Sequence, residues 1–246
     1  MVINIASRDK RYILLNEMLK ASGYESAVNM ESAKGADVLI LSVRRELDEG
    51  ALDALFGELP KNAVVLSGGA RALSERYGRE VIDYSLGEEF LQKNAYLTAE
   101  ACVSYLHSLS AKSLLGKKFF ISGYGRIGKH LAKILSAFSE KIFIFARRQE
   151  VRAEIENSGF TSSPIDGACE CDFILNTVPY PIFSEAVISK IPKKSYLVEL
   201  ASVCGFERTE RVNFALGLPG KILPASASSV ICEAILPYLE RERNTI

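Results

Sequence analysis

The sequence feature that most constrains the fold is a glycine-rich turn between an apolar segment and an amphipathic segment. Residues 119–122 are predicted to form a strand, and residues 127–138 are predicted to form a helix. The turn has the pattern GxGxxG and consists of Gly123, Tyr124, Gly125, Arg126, Ile127 and Gly128. The first glycine permits a tight turn, the second lets a pyrophosphate approach the backbone, and the third lets helix and strand pack closely. In this context the pattern predicts a dinucleotide site at a helix N-terminus, with a ligand-free glycine turn as the alternative.

Two arginines stand where many such folds carry a carboxylate. The next predicted strand, residues 141–145, is followed by Ala146, Arg147 and Arg148, and no carboxylate occurs before Glu150. In NAD-binding folds an acidic residue at this place binds the ribose 2′-hydroxyl, whereas a guanidinium suits a 2′-phosphate. The pair therefore predicts NADP(H) in preference to NAD(H). The alternative is a solvated pair of charges at the start of a helix.

Strands and helices alternate along the rest of the chain, which predicts an α/β protein with parallel sheets covered on both faces. The predicted strands are residues 2–5, 38–43, 63–67, 81–83, 119–122, 141–145, 172–176, 196–200 and 221–223. The predicted helices are residues 9–21, 47–56, 71–77, 88–111, 127–138, 150–157, 182–189 and 225–240.

This alternation predicts two doubly wound domains. We expect residues 1–90 to form a flavodoxin-like domain on the substrate side, and residues 91–112 to form a connecting helix. Residues 113–224 are expected to form the Rossmann domain that binds NADP(H). Residues 225–246 are expected to form a helix that crosses back to the first domain.

Composition excludes several classes of function. Lys and Arg together equal Asp and Glu at 30 each, so no overall charge attracts nucleic acid or an anionic membrane. No apolar run is long enough to span a bilayer, and the N-terminus lacks the apolar core of a signal peptide, so a cytoplasmic protein is expected. The five cysteines are expected to be ordinary thiols. With only two histidines, no metal site is expected.

Two further turns follow predicted strands of the second domain. The first consists of Asn176, Thr177, Val178 and Pro179. Ligands bind outside the carboxyl ends of parallel strands, so this turn is expected to support the ribose and nicotinamide, with a plain turn as the alternative. The next strand is followed by Ala201 and Ser202, and Ser202 is expected to face the nicotinamide for the same reason. Residues 217–220 are expected to be a turn whose two glycines bring backbone close to a ligand.

Several segments together resemble one family, the A subunit of dipicolinate synthase. They are NAYLTAEA (94–101), GKKFFISGYGRIGKHLA (116–132), FILNTVP (173–179), LVELAS (197–202) and ALGLPGKILPASAS (215–228). Asp9 and Arg11 match part of a family motif, and LSGG (66–69) has a counterpart too. The resemblance spans nearly the whole chain and is densest over residues 91–239.

The resemblance implies an oxidoreductase that makes dipicolinate during sporulation, together with a flavoprotein-like B subunit. Its precursor, hydroxytetrahydrodipicolinate, loses water to give a dihydropyridine, which would pass a hydride to NADP+ and become aromatic. Aromatisation supplies driving force, so positioning the ring against the nicotinamide would be most of the catalysis. A homo-oligomer is expected by analogy alone.

A dicarboxylate substrate needs hydrogen-bond donors, which we expect at the cleft between the two domains. The candidates are Ser67, Gly68, Asn94, Thr98 and Ser202. Glu100, two residues after Thr98, is the best candidate for a general acid or base, with a solvated helix carboxylate as the alternative. His130 is expected to be a surface or packing residue, and His107 has no partner visible in the sequence.

The chain also departs from the family pattern. After the leucine-alanine-serine segment it continues with Val203-Cys204-Gly205-Phe206, where the family often has a proline followed by two glycines. The N-terminal domain is short for the family, lacks the family's first glycine pair and has Ser7-Arg8 instead. These differences leave two alternatives open: a paralogue that acts on another small carboxylic acid, and a non-catalytic redox sensor that binds NADP(H).

A 2-hydroxyacid dehydrogenase has the same two-domain plan and is a further candidate. Such enzymes place an arginine after the fourth strand of the cofactor domain and a histidine near the last one. Here those regions contain Val203, Cys204, Leu218 and Pro219, and no histidine follows His130. These residues therefore argue against the reaction of a 2-hydroxyacid dehydrogenase. They do not argue against the two-domain fold that such enzymes share.

Overall fold

The computed structural model describes residues 1–43 and 46–244. The chain divides into two compact units, which are described separately below. Unit 1 comprises Met1–Asn94 and Pro219–Ile246, and unit 2 comprises Ala95–Leu218. The domain limits expected from the sequence stay a prediction.

Unit 1 contains a five-stranded parallel sheet with the strand order β2-β1-β3-β4-β5. This is the order of flavodoxin-like folds. Its strands are β1 (Val2–Ala6), β2 (Glu25–Val28), β3 (Val38–Leu41), β4 (Val64–Ser67) and β5 (Ile82–Asp83). Its helices are α1 (Lys10–Ala21), α2 (Glu49–Glu58), α3 (Ala70–Tyr77) and the first part of α4 (Glu88–Ser110).

The central strand β3 shows why this sheet is covered on both faces. All four of its residues are buried, and successive side chains point to opposite faces. Leu39 packs with Leu55 of α2 in one apolar cluster. Ile40 packs with Leu15 of α1 in a second cluster on the other face. A continuous apolar run of this length is typical of a strand that contacts helices on both sides.

Unit 2 contains a six-stranded parallel sheet with the order β11-β10-β9-β6-β7-β8. Its strands are β6 (Phe119–Ser122), β7 (Ile142–Phe145), β8 (Thr161–Ser162), β9 (Phe173–Asn176), β10 (Tyr196–Glu199) and β11 (Val212–Phe214). Its helices are α5 (Arg126–Leu135), α6 (Gln149–Asn157) and α7 (Glu185–Ile188), and a 3-10 helix spans Ile165–Glu170. The strand order reverses between β6 and β9, and ligands of such sheets bind at the carboxyl ends beside that switch point.

Two helices complete the chain, α8 (Leu218–Ile222) and α9 (Pro224–Arg243). Within unit 1, α9 packs against α1, and Ser228 Oγ donates a hydrogen bond to the Arg11 carbonyl at 2.8 Å. Ile231 and Ile235 of α9 are buried in the same apolar cluster as Ile40. Among the described residues, no helix has the length and apolar character that crossing a membrane requires.

The structure corrects several sequence-based assignments. The strand predicted at residues 221–223 is wrong, because α8 covers most of that segment and the turn expected at residues 217–220 is helical from Leu218 onward. Pro219 fits there because proline is tolerated in the first turn of a helix. Strands β2, β8 and β11 were missed, since each has two to four residues and lies at or next to a sheet edge with little apolar pattern. The helix predicted at residues 182–189 is limited to α7.

Candidate functional site

The glycine turn lies at the switch point of the sheet in unit 2, and two of its glycines are required by packing. Gly123 has φ of +93°, and a Cβ there would lie 2.8 Å from Thr177 Oγ1 and 2.9 Å from Val178 Cγ2. A Cβ on Gly128 would lie 2.2 Å from the Gly123 carbonyl oxygen. These contacts bring β6, α5 and the loop after β9 as close together as the sequence pattern predicted.

Gly125 is different, because open space lies beside it. Apart from Gly125 itself and its two neighbours in the chain, no atom of the described residues lies within 4 Å of the position that a Cβ would take. Gly125 is the N-cap residue of α5, and it has no side chain that could cap the first turn of this helix. The amide groups of a helix N-terminus need an acceptor and favour an anion. The turn therefore offers an anion site on the side where the backbone is accessible.

A groove of about 430 Å³ extends from this turn to the carboxyl end of β7. It is lined by Gly123, Tyr124, Gly125, Phe145, Ala146, Arg147, Arg148, Val151, Val178 and Ile182. Arg147 and Arg148 are exposed, and neither guanidinium forms an ion pair with another described residue. Arg148 is the N-cap residue of α6 and, like Gly125, provides no side-chain cap.

These residues fit a nicotinamide dinucleotide. Gly125 leaves room for a pyrophosphate against uncapped amides, and the groove beside β7 has a size typical of small-molecule sites. The two guanidinium groups at its end can hold an additional phosphate. Within the described part of the chain, no carboxylate lines this groove.

A buried polar network lies next to the turn, at the ends of three adjacent strands. Ser122, Asn176 and Glu199 end β6, β9 and β10, and each is fully buried. Ser122 Oγ donates to Asn176 Oδ1 at 2.5 Å. Asn176 Nδ2 donates to Glu199 Oε1 at 2.8 Å and to Oε2 at 2.9 Å. All polar groups of the Asn176 side chain thus have partners inside the protein, so it supports the site from within.

The Glu199 carboxylate also accepts hydrogen bonds from the loop after β10. The Ala201 amide donates to Oε1 at 2.8 Å and the Gly205 amide donates to Oε2 at 2.7 Å. Burial raises the pKa of Glu199, and the hydrogen bonds from Gly205, Asn176 and Ala201 oppose that rise without cancelling it. Sequence reasoning assigned Glu199 no role. The available signal was a carboxylate at the end of an apolar strand, which needs internal partners if it is buried.

The structure brings most of the predicted cofactor residues of unit 2 to one edge of the sheet. Thr177 Oγ1 donates to the Ser122 carbonyl at 2.6 Å, and the Val178 carbonyl accepts a hydrogen bond from Asn176. Pro179 and Ser202 are exposed beside them, and Ala201 is buried. Their contacts with a ligand stay predictions.

Thr98 and Glu100 are not brought together. Both lie on α4, but Thr98 is buried and Glu100 is exposed. Two positions along an α-helix correspond to a rotation of about 200°, so the two side chains point to different sides. This placement favours the alternative that Glu100 is a solvated carboxylate, and its catalytic role stays a prediction. Asn94 lies one turn earlier on α4 and is half-buried.

The predicted substrate residues of unit 1 have internal partners. Ser67 Oγ donates to the Gly68 carbonyl at 3.0 Å, and a Cβ on Gly68 would lie 2.6 Å from Val43 Cα. The amides of Gly69 and Ala70, at the start of α3, donate to Asp83 Oδ2. The cavity beside them has a volume of only about 40 Å³. Small-molecule sites usually measure about 300–1,000 Å³, so the cavity formed by the described residues is much smaller than such a site.

Both histidines pack against aromatic rings. His130 lies edge-on to Tyr96 at 5.6 Å between ring centroids, and His107 lies edge-on to Phe138 at 5.8 Å. The packing expected for His130 is therefore observed. All five cysteines are free thiols, and burial raises the pKa of the Cys102 and Cys171 thiols to about 12.

The fold and the glycine turn define a class of protein. Residues 86–202 match the family model described as D-isomer specific 2-hydroxyacid dehydrogenase, NAD binding domain. The chain is an oxidoreductase of the dehydrogenase type, with an α/β fold that contains a Rossmann domain. D-lactate dehydrogenase from Escherichia coli has the same fold, with a TM-score of 0.65 and 14% identity over 99% of this chain and 98% of that one.

Within this class, the chain is similar to the A subunit of dipicolinate synthase. That protein from Bacillus subtilis (strain 168) is 23% identical over 230 residues, which cover 82% of this chain and 77% of the relative. The crystal structure of the corresponding protein from Bacillus halodurans matches with a TM-score of 0.80 and 18% identity, over 97% of both chains. The resemblance found in the sequence motifs is confirmed, as is the α/β fold class.

Proposed function

We propose that this chain is an NADP+-dependent dehydrogenase that oxidises a dihydropyridine dicarboxylate to dipicolinate. The substrate would form from hydroxytetrahydrodipicolinate by loss of water. The oxidation removes two electrons and two protons from the ring: one hydride and one separate proton. The nicotinamide, when bound, accepts the hydride, and the proton passes to a base or to water. Sporulation, a homo-oligomer, a cytoplasmic location and the need for a flavoprotein-like B subunit belong to this proposal.

The observation that carries the proposal is the pair Arg147 and Arg148 at the end of β7, in a groove whose described lining contains no carboxylate. A dinucleotide whose pyrophosphate lies on the turn at Gly125 would direct its adenosine ribose toward this end of the sheet. A guanidinium fork can bind a 2′-phosphate bidentately, whereas a 2′-hydroxyl needs an acceptor that these residues do not provide. NADP(H) is the preferred cofactor for that reason.

The remaining residues of unit 2 would hold and shield the reacting ring. The turn with Thr177 and Val178 packs against Gly123 and would border the ribose next to the nicotinamide. Ser202, exposed after β10, would donate to a substrate carboxylate. Ser67, Gly68, Asn94 and Thr98 remain the other candidate substrate residues. Glu100 is the proposed group for the proton, and a Glu100→Gln variant that retains full turnover would remove it from that role.

The cofactor preference is tested with the double variant Arg147→Ala/Arg148→Ala. We expect its Kd for NADP+ to rise about 100-fold, because two charge-assisted contacts are lost, and its Kd for NAD+ to change less than about threefold. Arg208→Ala is the matched control, since Arg208 is also an exposed arginine of unit 2. Isothermal titration of both cofactors measures the ratio. Equal losses for the two cofactors would contradict the assignment of the arginines to the 2′-phosphate.

The reaction is tested by mixing the protein with NADP+ and freshly generated hydroxytetrahydrodipicolinate, with and without a candidate B subunit. NADP+-dependent appearance of dipicolinate absorbance is the expected result. Binding of NADP+ without product in both mixtures would favour a paralogue for another small carboxylic acid or a redox sensor. The altered segment Val203–Phe206 is the reason to consider these two alternatives. It lies in the loop after β10, on the side where the nicotinamide is predicted to bind.

A further inference from the structure

Glu199 is a buried carboxylate without a neighbouring cation among the described residues. Its exposed fraction is zero, and the groups that act on it are amide N–H donors and the Cys204 thiol. A buried charge is costly unless it is hydrogen-bonded, and here both oxygens accept from nitrogen donors at 2.7–2.9 Å. The carboxylate thus accepts hydrogen bonds from three residues at once.

The donors to Glu199 come from the end of β9 and from the loop after β10. Asn176 ends β9, whereas Ala201 and Gly205 belong to the loop after β10. Gly205 is a junction between these loops, because its carbonyl also accepts from the Ile182 and Phe183 amides at 2.9 Å each. Glu199 therefore fixes the loop after β9 relative to the loop after β10.

The packing around Gly205 and Glu199 is too close for either residue to be substituted without loss of a contact. A Cβ on Gly205 would lie 2.3 Å from Asn176 Nδ2. A glutamine at position 199 would keep the shape but turn one acceptor into a donor. That donor would face the Asn176 amide together with either the Ala201 amide or the Gly205 amide, and opposed buried donors leave a group unsatisfied.

The strand order places this junction at one end of the proposed cofactor site. The glycine turn follows β6, and the arginine pair follows β7 on one side. On the other side of β6 lie β9 and then β10, which ends at Glu199. A dinucleotide with its pyrophosphate over β6 and its adenosine over β7 must extend its nicotinamide half over β9 and β10.

We propose that Glu199 is a positioning residue for the nicotinamide half of the cofactor. Its carboxylate holds the loops after β9 and β10 in the shape that the nicotinamide and the substrate ring contact. The adenosine half, bound by α5 and the arginine pair, does not depend on it. This inference rests on the proposed function, since it requires a dinucleotide in the groove.

The test compares two ligands in wild type and Glu199→Gln. The nucleotide 2′,5′-ADP contains the adenosine half alone, whereas NADP+ contains both halves. We expect Glu199→Gln to weaken NADP+ binding about tenfold, and to leave 2′,5′-ADP binding within about twofold of wild type. Glu199→Asp keeps both acceptor oxygens and should recover part of the NADP+ affinity. Glu170→Gln, an exposed carboxylate of unit 2, is the control and should change neither Kd.

The outcomes separate the two proposals. Equal weakening of both ligands, or no change in either, would show that Glu199 has only a structural role and overturn the inference. If wild type binds neither ligand, the proposed function fails first and the inference fails with it. If Glu199→Gln does not fold, Ser122→Ala tests the inference instead. It removes the hydrogen bond to Asn176 Oδ1 at 2.5 Å and a longer contact to the Leu175 carbonyl at 3.4 Å, and it leaves the Glu199 carboxylate in place. It should weaken NADP+ selectively by a smaller factor, and an unchanged ratio of the two Kd values would contradict the inference.

Discussion

The two parallel sheets of this protein differ in how the helices at their carboxyl ends are capped. In unit 1 the chain supplies its own acidic caps: Asp9 accepts from the Arg11 amide, Asp48 from the Ala51 amide and Asp83 from the Gly69 and Ala70 amides. In unit 2 the helices that border the groove have Gly125 and Arg148 as their N-cap residues, and neither residue provides a side-chain cap. The helices after β1, β3 and β4 of unit 1 are thus capped by aspartates, whereas α5 and α6 of unit 2 have no side-chain cap.

The comparison shows that strand order alone does not define a binding site. Both sheets are parallel, and both have the crevice at their carboxyl ends that α/β folds use. An acidic cap contributes about 1 kcal/mol to stability, and it also occupies the amides that an anion would use. We expect that the lack of a side-chain cap at α5 and α6 lowers stability, and that a bound phosphate would offset this loss.

Gly125→Asp gives the largest expected effect on cofactor binding. It places an aspartate at the N-cap of α5, as in α1 and α2 of unit 1. Gly125 has extended backbone, φ −81° and ψ −166°, which aspartate at an N-cap also adopts. We expect the Kd for NADP+ to rise more than about 100-fold through charge repulsion and lost amide contacts. Thermal unfolding should show a gain of about 0.5 kcal/mol from the new cap.

Gly125→Asn distinguishes the effect of the negative charge from the effect of side-chain size. Asparagine has nearly the same size and also caps helices, but it is neutral. We expect it to weaken NADP+ binding less than Gly125→Asp, with a similar effect on thermal unfolding. If Gly125→Asp binds NADP+ normally, the pyrophosphate does not lie on this turn, and the contrast between the two units has no functional meaning.

Asp83→Ala removes a cap from unit 1 and should leave the cofactor site intact. We expect a loss of about 1–2 kcal/mol in the free energy of unfolding, measured by urea denaturation at pH 7. NADP+ affinity should stay within about twofold of wild type, since Asp83 contacts only residues of unit 1 among those described. A loss of NADP+ binding in the folded variant would show that unit 1 contributes to that site.

The pH dependence of the Asp83 contribution follows from its pKa. Burial acts to raise the pKa of Asp83, but hydrogen bonds from Ser85, Ala70 and Gly69 outweigh it and lower the pKa below 3.8. The unfolded chain then binds the proton more tightly, so this stabilisation is present above pH 3.8 and is lost as the pH falls through the folded pKa. The stability difference between wild type and Asp83→Ala should shrink below about pH 4.

The contribution of Glu199 to stability should depend on pH in the opposite direction to that of Asp83, and this is the smallest of the expected effects. Burial raises the pKa of Glu199 above 4.5, so the folded state binds its proton more tightly than the unfolded chain. Its contribution to stability is fully present below pH 4.5 and is lost as the pH rises through the folded pKa. Relative to Glu199→Gln, wild type should become more stable as the pH falls through the folded pKa of Glu199 toward 4.5, by at most about 1.4 kcal/mol per pH unit. A difference that is constant over this range would contradict the raised pKa.

The sequence predicted the central strands well because their apolar patterns are unambiguous. The runs around Val38–Leu41 and Phe119–Ser122 are buried on both faces and can form little else than central strands. Short edge strands such as β11, Val212–Phe214, have a polar residue at their centre and only one neighbouring strand. Their pairing depends on the strand beside them, which local sequence does not specify.

The sequence by itself determined the fold class, the glycine turn and the resemblance to the A subunit of dipicolinate synthase, because these depend on local pattern and spacing. Only the tertiary structure decided which polar groups are already satisfied. It showed that Asp83 occupies the amides at the start of α3, that Glu199 connects two loops, and that Glu100 and Thr98 point to different sides of α4. The physical reason is that hydrogen-bond partners distant in the chain meet only when the strands have been ordered and packed.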